Sequence, residues 1–302
     1  MLLLAARLTA PESMQKLIRP LLLALVAALL LQACSAVRLG YGHADSLARW
    51  WIDQYLDLSP EQDALVQERL ARFFAWHRKT QLPDYANLLR QGRNFVDGQP
   101  TTSDALVLGE GIVRRVRTLT EQALPDVADL LLTISPAQIE RIAQRYAEKN
   151  TDYAKDARLA EAEGSQRAAR YKRLRERAEY WFGDFSSAQE ATLRQLIEGQ
   201  SAGSQFWYEE RLRRQRELLD LMRQVQRERL PRDRVIQLLR DYAARFDLPA
   251  DPPRLAQAQA LRRASAELAI AILALTTPAQ RAHARQKLDD LIHDFTELAQ
   301  QG

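Results

Sequence analysis

The sequence predicts an all-α fold, an elongated or bent multi-helix bundle whose two halves read as related. Three observations carry that expectation. Glycine is sparse, at 11 of 302 residues, and strand-like alternation of apolar and polar positions is absent. Long stretches of Ala, Leu, Glu, Gln and Arg favour helix. Four helix starts repeat one pattern: Ser59-Pro60-Glu61-Gln62, Ser135-Pro136-Ala137-Gln138, Ser186-Ser187-Ala188-Gln189 and Thr277-Pro278-Ala279-Gln280. Each sets a hydroxyl at the N-cap and a Gln three residues on, the reciprocal capping box, and three of them place Pro at the first helical position.

The chain opens on an apolar run, Leu21 to Leu31, preceded by Lys16 and Arg19. As a helix it would be about 16 Å long, roughly half the hydrocarbon thickness of a bilayer, so it is too short to span and has the length of an export signal. It ends in Leu31-Gln32-Ala33-Cys34, which resembles a bacterial lipobox. Residues 1–33 are then a signal peptide and Cys34 the acylated first residue of the mature chain. An ordinary cleaved signal with a chance cysteine is the competing reading. Buried acyl chains contribute about 0.8 kcal/mol per methylene, enough to hold a protein on a membrane when several act together. Ser35 rather than Asp after the cysteine points to the outer membrane, on its periplasmic side. Cys34 is the only cysteine, so the exported domain has no disulfide and is stabilised by packing.

Residues 34–43 read as a tether and residues 44–182 and 183–302 as N-terminal and C-terminal helical halves. Seven and eleven residues after each cap lie Val66 and Leu70, Ile142 and Tyr146, Leu193 and Ile197, and Ala284 and Leu288, so one apolar face follows each cap. "WWIDQYLDLSPEQ" before the first box matches "AEYWFGDFSSAQE" before the third in its aromatic pair, acid and apolar residue. Phe73, Phe74 and Trp76 have a rough counterpart in Phe206, Trp207 and Tyr208. Duplication of a helical unit explains these matches, and convergent capping chemistry explains them equally. Unequal spacing of the caps excludes a solenoid of fixed period.

Breakers set the remaining boundaries. Gly98-Gln99-Pro100 ends a helix that starts near Pro83, Pro125 is expected to interrupt the segment from Ser103 to Ile134, and Asp247 to Pro253 forms a turn. From Ser135 to Phe182 only Gly164 weakens the helix. Unbroken, that stretch would be about 72 Å long, so the molecule is expected to be extended or to bend near Gly164.

Charge excludes a simple nucleic-acid reading. Removing the signal removes Arg7, Lys16 and Arg19 with Glu12, leaving 40 basic against 38 acidic residues. Between Glu209 and Arg232 the signs interleave at helical spacing, Glu209 with Arg213, Glu210 with Arg214 and Glu228 with Arg232, which suits a solvated face. "RYKRLRER", Arg170 to Arg177, is more purely basic and suits lipid phosphates or an acidic partner, although ordinary surface is the simpler account.

No catalytic motif is present. His43, His77, His283 and His293 sit in no ligand spacing, and Gly109-Glu110-Gly111 lacks the rest of a dinucleotide fingerprint. No cofactor and no metal site are expected. His77, crowded by aromatic residues, reads as a packing residue. The candidate interaction surface is Trp50, Trp51, Trp76, His77, Arg78 and Tyr85, the stiff aromatic and planar cationic side chains enriched at interface hot spots. Adjacent Trp50 and Trp51 point about 100 degrees apart on a helix, so one is expected to face away from the core, toward a partner or the membrane interface.

"CSAVRLGY", "WWIDQYLDLSPEQ" and "WHRKTQLPDYANLLR" resemble the uncharacterised proteobacterial lipoproteins grouped as domain-of-unknown-function family 6279. The likeness covers most of the mature chain and is strongest between Cys34 and Arg90, although Gly42-His43 departs from the family's asparagine-rich pair. It implies a helical, lipid-anchored envelope protein and brings no catalytic residues. Function is therefore expected to be binding or scaffolding of another envelope protein. A helical chaperone similar in architecture to membrane-tethered lipase foldases is the alternative, and an enzyme the third class.

Overall fold

The computed structural model describes residues 35–199, 203–246 and 248–301. The signal segment 1–33 and Cys34 lie outside them. The chain divides after His43 into two units. In the first, the stretch read as a tether is helical, α1 (Ser35–Gly42). No described helix is long and apolar enough to cross a membrane.

Every described element of the second unit is helical. α2 (Ala44–Leu56) and α3 (Pro60–Trp76) form a hairpin, and a π turn (His77–Gln81) leads into α4 (Leu82–Asp97). After α5 (Thr102–Leu131) come α6 (Pro136–Asp156), α7 (Glu163–Phe182) and α8 (Ser187–Glu198). The chain closes with α9 (Ser204–Glu228), α10 (Arg232–Ala244), α11 (Pro252–Leu275) and α12 (Pro278–Gln300).

All four expected capping boxes form, starting α3, α6, α8 and α12. Thr101 and Asp104 make a fifth at α5. The four repeated boxes also bind one another in two pairs. Gln62 Nε2 donates to Thr133 O at 3.1 Å and to Gln138 Oε1 at 3.2 Å, and Gln138 Nε2 donates back to Gln62 Oε1 at 2.6 Å and to Asp57 O at 3.3 Å. Gln189 and Gln280 repeat the arrangement: Gln189 Nε2 donates to Leu275 O at 2.7 Å, Gln280 Nε2 to Asp184 O at 2.8 Å, and the two amides bond each other. In all four cases the accepting backbone carbonyl lies two residues before the partner's N-cap.

The packing of the two helix sets matches as well. α2 packs on α3 and α6 as α7 packs on α8 and α12, and α3 meets α5 as α8 meets α11. The sets also exchange a helix: α4 packs chiefly on α12, and α9 packs on α6. Each core therefore mixes both parts of the sequence. Leu124, Ala128, Ile139 and Ile142 are closed by Met222, Val225, Val235 and Leu239, whereas Val96 joins Leu273, Ala284 and Leu288. Leu193 and Val235 are completely buried, each contributing about 1.5–3 kcal/mol.

Three local expectations are corrected. Pro125 does not interrupt its helix; α5 runs through it, although the missing N–H leaves the Glu121 carbonyl without its helical donor. Helix from Ser135 breaks at Ala157–Ala162, with Arg158 left-handed at φ 53°, and Gly164 instead sits in the first turn of α7. Glu210 is not on a solvated face: it is fully buried, and its partners are Arg213 and Arg254 rather than Arg214.

Candidate functional site

The candidate surface residues fall into two groups. On α2, Trp50 and Trp51 are 61% and 57% exposed, so both members of the pair face outward, not one. Leu47, one turn earlier and 57% exposed, extends the same apolar face. This face is held firmly from behind. Nη1 of Arg49 donates to both carboxylate oxygens of Asp63, at 3.0 and 2.8 Å, which ties α2 to α3. The Trp51 ring leans on Tyr55 at 4.8 Å between centroids, and Tyr55 meets the partly buried Tyr146 edge-on at 6.1 Å.

Trp76, His77, Arg78 and Tyr85 come together at the π turn. From Asp63, which meets Arg49, to Trp76 is thirteen residues of α3, roughly 20 Å along the helix, so the two groups do not form one surface. The turn has a sequence cause. Pro83 has no N–H and its ring crowds the carbonyl of Lys79, so the backbone widens until Leu82 N–H reaches His77 O, five residues back. Thr80 Oγ1 donates to Trp76 O at 2.8 Å across the loosened turn. The extra residue rotates the helix so that His77, Gln81 and Leu82 all point inward and are buried.

The His77 ring lies 6.1 Å from Phe73, nearly parallel, and 5.3 Å from Tyr85, edge-on. Tyr85 continues to Phe295 of α12 at 6.3 Å. Burial lowers the His77 pKa below its ordinary 6.5, so the imidazole is neutral at neutral pH. Among the described residues no three His, Cys, Asp or Glu side chains group as metal ligands would.

Charged side chains missed by sequence reasoning form two networks. Arg254 Nε donates to Glu210 Oε1 at 2.7 Å and Arg213 Nε to Glu210 Oε2 at 2.9 Å, while Arg213 Nη1 also reaches Glu217 at 2.7 Å. Burial pushes the Glu210 pKa upward, but the hydrogen bonds from the two arginines outweigh it and hold the carboxyl below its ordinary 4.5. The signal was present in the sequence, because Glu210 lies one turn after the buried Phe206 on the inward stripe of α9. The second network alternates signs over a cleft between α3, α5 and α10: Arg69 meets Asp126 and Asp129, Arg72 meets Asp126, and Arg232 meets Asp129. Every cation there has a carboxylate, so the cleft is internally neutralised.

A family model described as "Family of unknown function (DUF6279)" matches residues 54–245. No curated protein and no solved structure matches the chain.

Proposed function

The chain belongs to DUF6279, a family of unknown function, and from that premise we propose that it acts as a lipid-anchored binding or scaffold protein of the bacterial envelope. Cys34 carries the acyl chains, the domain faces the periplasm from the outer membrane, and another envelope protein docks on α2. The observation that carries this reading is the outward face of Leu47, Trp50 and Trp51. Two adjacent exposed tryptophans on a helix fixed by Arg49 and Asp63 offer large, preorganised apolar area, and little side-chain freedom is lost when they are covered. Their position fifteen and sixteen residues beyond Ser35, the first residue of α1, keeps that face close to the anchor in sequence. The matching packing of the two helix sets supports reading residues 44–182 and 183–302 as related halves of one such module.

The test is made on the full chain in its native envelope. Trp50→Ala and Trp51→Ala should each reduce crosslinking to a specific envelope protein without changing the melting of the domain, and Cys34→Ser should abolish acyl labelling. Undiminished crosslinking in both tryptophan variants overturns the docking face. Acyl label that persists in Cys34→Ser overturns the anchor.

A further inference from the structure

The basic run on α7 divides by partner. Arg167 pairs with Glu163 at 2.9 Å, Arg175 with Glu179 and Glu190 at 2.8 and 3.0 Å, and Lys172 with Glu176 at 3.9 Å. Arg170, Arg173 and Arg177 have no carboxylate partner among the described residues. These three are spaced three and four apart, so they share one face of α7. That face lines a cavity of about 310 Å³ between α7, α9 and α11 that contains no acidic side chain. Elsewhere, as in the cleft of Arg69, Arg72 and Arg232, clustered arginines are interleaved with aspartates.

Two details show that the cavity's charge is unanswered. Nη1 of Arg170 is shielded from solvent and has no hydrogen-bond partner, and a buried guanidinium donor in that condition is costly. Burial, and after it the neighbouring cations Arg167 and Arg173, lowers the Arg170 pKa, with Glu163 opposing. A bound anion would relieve both. Ser204 and Ser265 line the same space, as does the amino end of α9, whose N-cap Gly203 supplies no side-chain acceptor, and the Ser265 hydroxyl donates to Leu261 O at 2.9 Å. Glycine at 203 lets that end close onto α11, since a Cβ there would stand 3.0 Å from Leu261 Cδ2. Trp207, Leu261 and Leu268 make the remaining wall apolar.

We propose that this cavity binds a phosphate monoester, with Arg170, Arg173 and Arg177 holding the phosphate and the Trp207–Leu261 wall receiving the group attached to it. A dianion with three equivalent oxygens matches three planar donors better than a singly charged carboxylate does. The phosphate belongs either to a lipid headgroup or to a soluble ester.

Binding to the purified full chain is measured by titration calorimetry with inorganic phosphate, with dihexanoyl phosphatidic acid below its micelle concentration, and with dihexanoyl phosphatidylcholine as the choline-capped control. One saturable site for phosphate or phosphatidic acid, with the control weaker, is expected. Phosphatidic acid binding tighter than phosphate assigns the lipid source, and equal affinity assigns a soluble ester. Arg170→Gln and Arg177→Gln should each weaken binding roughly tenfold or more. Arg227→Gln, remote on α9, should not. Arg177 is exposed, so its variant keeps the test valid even if Arg170→Gln unfolds. No binding by the wild-type protein, binding unchanged in Arg177→Gln, or equal loss in Arg227→Gln overturns the proposal.

Discussion

Gln62 and Gln138, 76 residues apart, use each side-chain amide completely: each oxygen accepts from its own N-cap N–H and from the other glutamine, and each nitrogen donates to the other glutamine and to a carbonyl before the other's cap. Helix initiation and tertiary contact are one network here. Gln62→Ala and Gln138→Ala should each cost about 1–3 kcal/mol, because the remaining partner is left part-buried and unsatisfied. A double-mutant cycle measured by urea unfolding should give a coupling of roughly 0.5–3 kcal/mol between them, whereas Gln62 and Gln280, which share no partner, should add within about 0.5 kcal/mol. Additive effects at Gln62 and Gln138 would show that the paired amides are incidental.

Glu210→Gln should be severe for a single-atom change. It leaves Arg213 and Arg254 facing each other across a buried site. The expected loss is about 3 kcal/mol, the low end of the range for a broken buried pair, because both arginines remain partly solvated. Replacing Glu210 and Arg254 together by Met and Leu should recover part of it. The wild-type contribution is present above pH 4.5, the ordinary value for Glu, and is lost as pH falls through the lowered folded value. Unfolding curves of the variant between pH 7 and about 3 check both claims, and a flat difference over that range would reject the second.

His77 predicts a second, milder pH dependence. With its folded pKa below 6.5, the unfolded chain binds more protons than the folded one in the interval beneath that value. Stability is full above pH 6.5 and falls as pH drops through the folded pKa. His77→Phe, which keeps a ring among Phe73 and Tyr85, should remove this slope. The measurement is the difference in unfolding free energy between wild type and variant at about pH 7.5 and pH 5.5. A difference that does not shrink toward the lower pH sinks the assignment.

Much of this fold was legible locally and little of it globally. The capping boxes were readable because Ser-Pro-x-Gln acts on the three residues that follow it, and all four helices start where the motif places them. Breaks were less legible. Pro125 was absorbed into α5, where Leu124 and Ala128 on either side are buried and packing holds the helix together. The turn after Asp156 carries no Gly or Pro, so nothing local announced it. The tryptophan pair was identified as a candidate contact, but its outward direction depended on which face of α2 meets α3. That is set by the Arg49–Asp63 pair fourteen residues apart. The arginines of the phosphate cavity looked like ordinary surface for a similar reason: the acids that neutralise their neighbours lie mostly one turn away on α7, but the walls of α9 and α11 come from distant sequence.

The exchange of α4 and α9 between the helix sets also dictates an order of events as the chain is made. When residue 182 has emerged, α6 still lacks α9 and α5 still lacks α10, so Leu124, Ile139 and Ile142 are covered only on the side that Leu56, Leu131 and Ile134 supply. α4 likewise waits for α12, to which Arg281 fastens the carbonyls of Val96 and Gly98 across more than 180 residues. Hairpins such as α2–α3 can form early and locally, but closure of either core is a late, long-range step. The N-terminal part therefore has no finished state of its own to reach during synthesis, and the whole domain stays pliant until its last helix is released.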